Sequence, residues 1–312
     1  MRNHESRITS KAIFALLLGL AASVLLAAPP FSEWSAPVNL GPPINSAFRD
    51  AGPALSKDGL SLYFTSNRPG GMGGTDIWVS QRASREDPWG EPVNLGPTVN
   101  TAFNEGVPSF SRDGHFMYFN SVRPDGFGAN DIWICWRAHT GDDFGWGEPV
   151  NAGPGVNSAF DDAGAAYLEN EEAGTALLDF GSTRPGGLDL FDIYMSAQTA
   201  DGFWGPAVLV PELSSPFNDQ RPNVRFDGLE IFLLSDRPGG VGLFDLWAST
   251  RQTTLDAWSA PVNLGALVNG RAYDQQAVIS SDRETLFFAS NRPGGRGNFD
   301  LYMTTREKNP HD

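Results

Sequence analysis

The sequence predicts an all-β fold: a five-bladed β-propeller with four antiparallel strands per blade, the ring closed by an N-terminal strand that completes the last blade. Three observations predict it. First, a stretch beginning Ser66-Asn67-Arg68-Pro69-Gly70-Gly71 recurs, with Arg-Pro pairs at Arg68, Arg123, Arg184, Arg237 and Arg292 spaced by 55, 61, 53 and 55 residues. Eight residues after each arginine comes an aspartate, then Ile or Leu, then Trp or Tyr. A constant internal offset at such a period marks a repeat architecture. Second, each repeat holds four short segments of strand character, and no long segment shows helical periodicity. Third, Trp34-Ser35-Ala36-Pro37-Val38-Asn39-Leu40-Gly41 is a fourth-strand segment with no blade before it. The last repeat stops after Asp300-Leu301-Tyr302-Met303 without one. Pairing the two closes a circle and removes two exposed sheet edges.

The elements follow in chain order. Residues 1–28 read as an export signal, with an uncleaved anchor as the runner-up. Arg2, Arg7 and Lys11 precede an apolar run from Ala12 to Leu26, whose 15 residues are short for a membrane span. The propeller occupies 34–306, with blades at about 49–96, 104–153, 161–212, 218–266 and 273–306 plus 34–41, and 307–312 form a C-terminal tail. In blade one, Asp50 to Ser56 leads to a Lys57-Asp58-Gly59 turn, and Leu60 to Thr65 is aromatic and apolar, as a strand requires. The Arg68-Pro69-Gly70-Gly71 loop suits a type II turn. Asp76 to Ser80 is the third strand, and the segment from Trp89 to Gly96 supplies the fourth. Blade three carries extra residues from Glu169 to Gly174 and blade two from His139 to Gly145, both expected as surface insertions on one rim.

Composition excludes some functions. With 22 basic and 37 acidic residues the net charge is −15, which repels phosphate backbones and anionic membranes, so no nucleic-acid partner and no membrane insertion after signal cleavage is expected. A single cysteine, Cys135, forms no internal disulfide and reads as a buried small hydrophobe. The histidines His4, His115, His139 and His311 form no metal-ligand spacing. There is no Gly-x-Ser-x-Gly elbow and no phosphate-cradling loop. Eight of nine tryptophans fall in two repeated columns that point to packing between blades, Trp136 being the exception.

Segments such as Pro53-Ala54-Leu55-Ser56-Lys57-Asp58-Gly59 followed by Leu62-Tyr63-Phe64-Thr65-Ser66-Asn67-Arg68 resemble the WD40-like (PD40) β-propeller repeat. That repeat is found in the periplasmic TolB protein and in exported proteins with peptidoglycan-binding OmpA-like domains. The resemblance spans 34–306 and implies the fold rather than a task. TolB-like proteins have six blades and an extra N-terminal domain; five blades are expected here, so a translocation or cell-wall role does not carry over.

Strand parity places the Arg-Pro loops on the same face as the entries to the first strands. Asp50, Glu105, Asp162, Asp219 and Gln275 are therefore expected to ring one mouth of the central channel as a ligand-binding site. Such a ring suits a cation or a cationic or hydroxyl-rich ligand; alternatively, each carboxylate pairs with a neighbouring arginine or caps backbone amides. The pairs Arg68 and Asp76, Arg123 and Asp131, Arg184 and Asp192, Arg237 and Asp245, and Arg292 and Asp300 are expected as structural loop ion pairs, an anion site being the other reading. No catalytic residue, metal or cofactor is expected, with a bound cation at the mouth left open. The expected function is an exported, periplasmic or secreted, non-enzymatic binding or scaffold module, monomeric, with a protein or glycan partner in the envelope or outside the cell. The alternative is a carbohydrate-active hydrolase or lyase using Asp50, Glu105 and Asp162 at the mouth.

Overall fold

The computed structural model describes residues 31–188 and 190–309. The expected export signal lies outside the described residues. Among them are twenty strands and no helix, arranged as five four-stranded antiparallel sheets. The first strands are Asp50–Leu55, Glu105–Phe110, Asp162–Asn170, Asp219–Val224 and Asp274–Ile279. They contact one another in succession, and the fifth contacts the first, so the sheets stand in a ring around an axis.

Each sheet is sandwiched between two others, so its strands are apolar on both faces. All six residues of Ser61–Ser66 and of Glu230–Ser235 are buried. Phe64, Phe119, Phe180, Leu233 and Phe288 occupy one slot of the second strands and are all sealed in the core. The fourth strands are only two residues long, and their valines remain exposed, from 50% at Val93 to 67% at Val262. A short, half-wet outer strand offers little edge to a foreign chain.

The ring closes as expected. Val38 pairs with Met303 and Asn39 with Tyr302. The seam runs beyond the predicted end of the propeller, because Phe31 bridges Lys308 and the Ser32 amide donates to the Glu307 carbonyl at 2.8 Å. A side chain completes the ladder where the outer strand is too short. Asn45 donates to the Leu301 carbonyl and accepts from its amide, and Asn100, Asn157 and Asn269 do the same for Ile77, Ile132 and Leu246. Each of these amides is nearly sealed from water, so its bonds replace a solvation it has lost.

The insertion in blade two is not simply a surface feature. It drives Asp143 into the groove between blades one and two, where the carboxylate accepts from Ser61 at 2.5 Å, Tyr63 at 2.6 Å, Gln81 at 2.7 Å and Arg137 at 3.0 Å. In blade three Glu171 pairs with Arg112 of blade two, and Glu172 accepts from the Thr254 amide of blade four. Both insertions are clamps between neighbours.

The same slot that holds Tyr63 in blade one holds Asp179 in blade three. Burial pushes the Asp179 carboxyl up to about 7, against a smaller opposing pull from Arg251. Cys135 is buried as expected, and enclosure pushes its thiol up to about 12.

Candidate functional site

The five arginines of the Arg-Pro loops do not form the predicted pairs. Each reaches back to the carboxylate that opens the first strand of its own blade. Arg68 bonds Asp50 at 2.6 Å, Arg123 approaches Glu105 at 3.3 Å, Arg184 bonds Asp162 at 2.6 Å, Arg237 bonds Asp219, and Arg292 bonds Asp274 at 2.5 Å. The aspartates eight residues on hold the loop by accepting backbone amides instead. Asp76 takes Met72 and Gly73, Asp131 takes Phe127 and Gly128, Asp245 takes Val241 and Gly242, and Asp300 takes Arg296 and Gly297; Asp192 takes Leu188. The physical reason is reach. The carboxylate at the start of the first strand is paired across the sheet with the serine at the end of the second, Asp50 with Ser66, two residues before the arginine.

The acidic ring is corrected at the same time. The side chains of Asp50, Glu105, Asp162 and Asp219 have no exposed surface, and each also takes hydroxyl donors, as Asp50 does from Ser46 and Ser66. Burial raises the Asp219 carboxyl, with Arg237 and two serines opposing it. The fifth member is Asp274, not Gln275: the repeat was read one residue out of step in blade five. These carboxylates belong to the frame, and among the described residues they form no ring of free acids.

What faces the channel is a different set. A cavity of about 460 Å³ opens on the face of the Arg-Pro loops, lined among others by Arg49, Asn104, Asn120, Asp161, Arg221 and Gln276. The opposite end holds smaller cavities, one of about 50 Å³ between apolar side chains such as Leu55, Phe110, Tyr167 and Phe226 and one of about 270 Å³ beside Lys57, Asp58 and Arg137.

Two columns supply the lining. One is the residue just before each first strand: Arg49, Asn104 and Asp161 line the cavity, and Asn218 and Tyr273 hold the cognate places in the other two blades. The other is the third residue of each first strand, where a β-bulge shifts the register in all five blades. The bulge puts that residue in the left-handed region, with φ of 60° at Gly52, 54° at Val107, 70° at Gly164, 51° at Arg221 and 52° at Gln276. Glycine adopts this conformation without strain, whereas an arginine, a glutamine and above all a valine do so at a cost. The glycines also make room. A Cβ on Gly164 would stand 2.7 Å from the Arg221 Cα, and one on Gly52 would stand 3.0 Å from the Gln276 Nε2.

The electrostatics of the mouth depart from those of the whole chain. Arg221 lies deep in the channel, surrounded by protein yet open to the axis. Its guanidinium is pushed down to about 10, by enclosure first and by Arg49 second. Burial likewise pulls Arg49 below its usual range. Neither arginine has a carboxylate partner among the described residues. Arg49 lies over the Phe299 ring at 4.4 Å. Asp161 also lines the cavity, and it too has no ion-pair partner among the described residues, unlike Asp162 beside it.

The tryptophan columns pack as expected, with arginines over the rings: Arg82 over Trp89 at 4.1 Å, Arg137 over Trp146 at 4.3 Å, Arg251 over Trp258 at 4.0 Å and Arg306 over Trp34 at 4.4 Å. Trp136 is half exposed and stacks on His115, away from the mouth. Arg49 and Arg221 were missed by sequence reading. Their signal was present: Arg221 stands in a slot where the aligned repeats of blades one and three have glycine.

No protein family's profile matches the chain, and no curated protein does. Solved structures match in shape. The α-L-arabinofuranosidase from Lactobacillus brevis superposes with a TM-score of 0.58 at 13% identity, covering 85% of this chain and 92% of its own. The α-L-arabinofuranosidase from Podospora anserina, solved with cellotriose, gives 0.57 at 11%, covering 90% and 98%. TolB from Acinetobacter baumannii gives 0.47 at 15%, covering 83% and 55%. At these identities the likeness concerns the fold. The matched propellers are mostly glycoside hydrolases, and on that finding the expectation of a non-enzymatic binding or scaffold module is withdrawn.

Proposed function

We propose that the protein is an exported carbohydrate-active enzyme that cleaves glycosidic bonds, by hydrolysis or elimination, at the channel mouth on the Arg-Pro face. One observation carries the reading: Asp161 lines that mouth and has no arginine partner among the described residues. Cleaving a glycosidic bond requires a group that can hand a proton to the leaving oxygen or take one up. Asp50, Glu105 and Asp162 are unsuited to that role, because each is engaged by an arginine and its side chain has no exposed surface for substrate to reach. Asp161 is free of both constraints and takes the proton-transferring role. Asn104, Asn120 and Gln276 offer amide donors and acceptors for sugar hydroxyls. The arabinofuranosidases among the matched propellers support the reading as enzymes on the same fold. The basic and apolar N-terminal stretch supports export, to the periplasm or beyond. The likeness of the repeats to the WD40-like motif is kept as a proposal about their ancestry.

The test is turnover of a panel of arabinoxylan and pectic oligosaccharides. Reducing-end release reports cleavage, and ultraviolet absorbance of an unsaturated product separates elimination from hydrolysis. Asp161→Asn is expected to lower the rate about a hundredfold or more with the melting temperature unchanged. Wild-type turnover by that variant, or no turnover of any member of the panel by the parent, overturns the reading.

A further inference from the structure

The channel mouth holds two arginines that form no ion pair among the described residues. Eleven arginines take part in ion pairs among the described residues, whereas Arg49 and Arg221, both lining the channel, take part in none. Arg221 bonds only through Nη1, to Gln275 Oε1 at 2.9 Å and Gln276 Oε1 at 2.7 Å. Its Nε and Nη2 have no partner among the described residues. The Gln275 Nε2 beside it is buried and also lacks an acceptor. A buried donor without an acceptor is rare, and with the two unpartnered Arg221 nitrogens beside it on the channel the three donors converge on a place for an acceptor. The backbone adds a second, independent sign. Arg221 sits at φ 51° in the bulge slot that every blade carries and that glycine fills in two of them, so the repeat geometry aims its long charged side chain at the channel. The glycine at 164 clears the space through which its side chain passes.

We infer that Arg221 and Arg49 form an anion subsite for the acidic group of a saccharide, a hexuronate carboxylate, with a sulfate ester as the other source of the same charge. The inference rests on the carbohydrate-active reading and names its substrate class. A guanidinium presents paired N–H donors that match a carboxylate, and the Gln275 amide adds another. The surrounding acidic surface, net −15, sharpens the choice: it disfavours anions everywhere else, so a charged glycan gains only where the arginines stand.

The experiment is calorimetric titration of the purified protein with trigalacturonate, its methyl ester, a sulfated trisaccharide and neutral xylotriose, at low and high salt. Trigalacturonate is expected to bind more tightly than its ester or xylotriose, and to weaken as salt rises. Arg221→Gly is the decisive variant, since glycine suits the left-handed backbone and already fills the slot in blades one and three. It should melt at the parent temperature or above while losing about tenfold or more in affinity for trigalacturonate, and Arg49→Met should lose affinity likewise. Tighter binding of the sulfated sugar assigns the subsite to a sulfate ester. Parent-like binding by Arg221→Gly overturns the subsite. A preference for xylotriose over trigalacturonate also overturns it while leaving the carbohydrate-active reading intact, whereas binding of no saccharide sinks both.

Discussion

Asp161 and Asp162 are neighbours in sequence and opposites in circumstance. Asp162 is sealed, bonded to Arg184 and to Ser158, and has a counterpart in every blade. Asp161 lines the open channel, and the residues in its place elsewhere are arginine, asparagine and tyrosine. The difference teaches how to read a repeat protein. What recurs in each blade holds the blade together, and what departs from the repeat at the mouth is available for chemistry.

The sharpest way to break this comparison is to unlock one frame carboxylate. Arg237→Met strands Asp219 as a buried charge and should cost about 3–5 kcal/mol in denaturant unfolding. A loss below about 1 kcal/mol, the scale of an exposed pair, would return the lock to mere surface decoration. Asp179 offers the next test, as a buried carboxylate without any lock. Its folded proton affinity is raised to about 7, so its contribution is favourable below the ordinary aspartate range and is lost as pH climbs toward 7. Asp179→Asn should therefore stabilise the protein by up to about 4 kcal/mol at pH about 8 and by almost nothing at pH about 4. Unfolding curves for both proteins across that range decide it, and an unchanged pH profile would refute the assignment.

Smaller effects follow for groups nearer the comparison's middle. Asn269→Ala removes the side chain that pairs with Leu246, a frame feature, and should cost about 1–3 kcal/mol in thermal or denaturant unfolding. Asp161→Asn should shift stability by no more than about 0.5 kcal/mol, because no frame bond depends on its carboxylate. A large loss in that variant would place Asp161 in the frame after all.

Much of the fold was legible, because a period of about 55 residues repeats local turn and strand chemistry that needs no long-range knowledge. The closing strand was legible too, since Trp34 to Gly41 copies a segment that every other blade supplies for itself. The ion pairs were misread because an offset of eight residues is conspicuous along the chain, whereas Arg68 and Asp50 meet only once the second strand lies against the first. Gln275 entered the ring by a slip of one residue, which in a strand exchanges one face for the other. The mouth was the least legible part. The bulge that aims Arg221 and Gln276 inward leaves no mark in composition or periodicity, only a missing glycine in three of the five copies.

The clasp between Val38 and Met303 also orders events in time. A ribosome delivers residue 38 long before residue 303, so the fifth sheet stays unfinished until both strands are present. Until then the growing arc presents an incomplete final sheet and an unmated early strand, each open to strand exchange with a second nascent molecule. Sealing the circle ends that vulnerable interval and, in the same act, gives the channel its last wall.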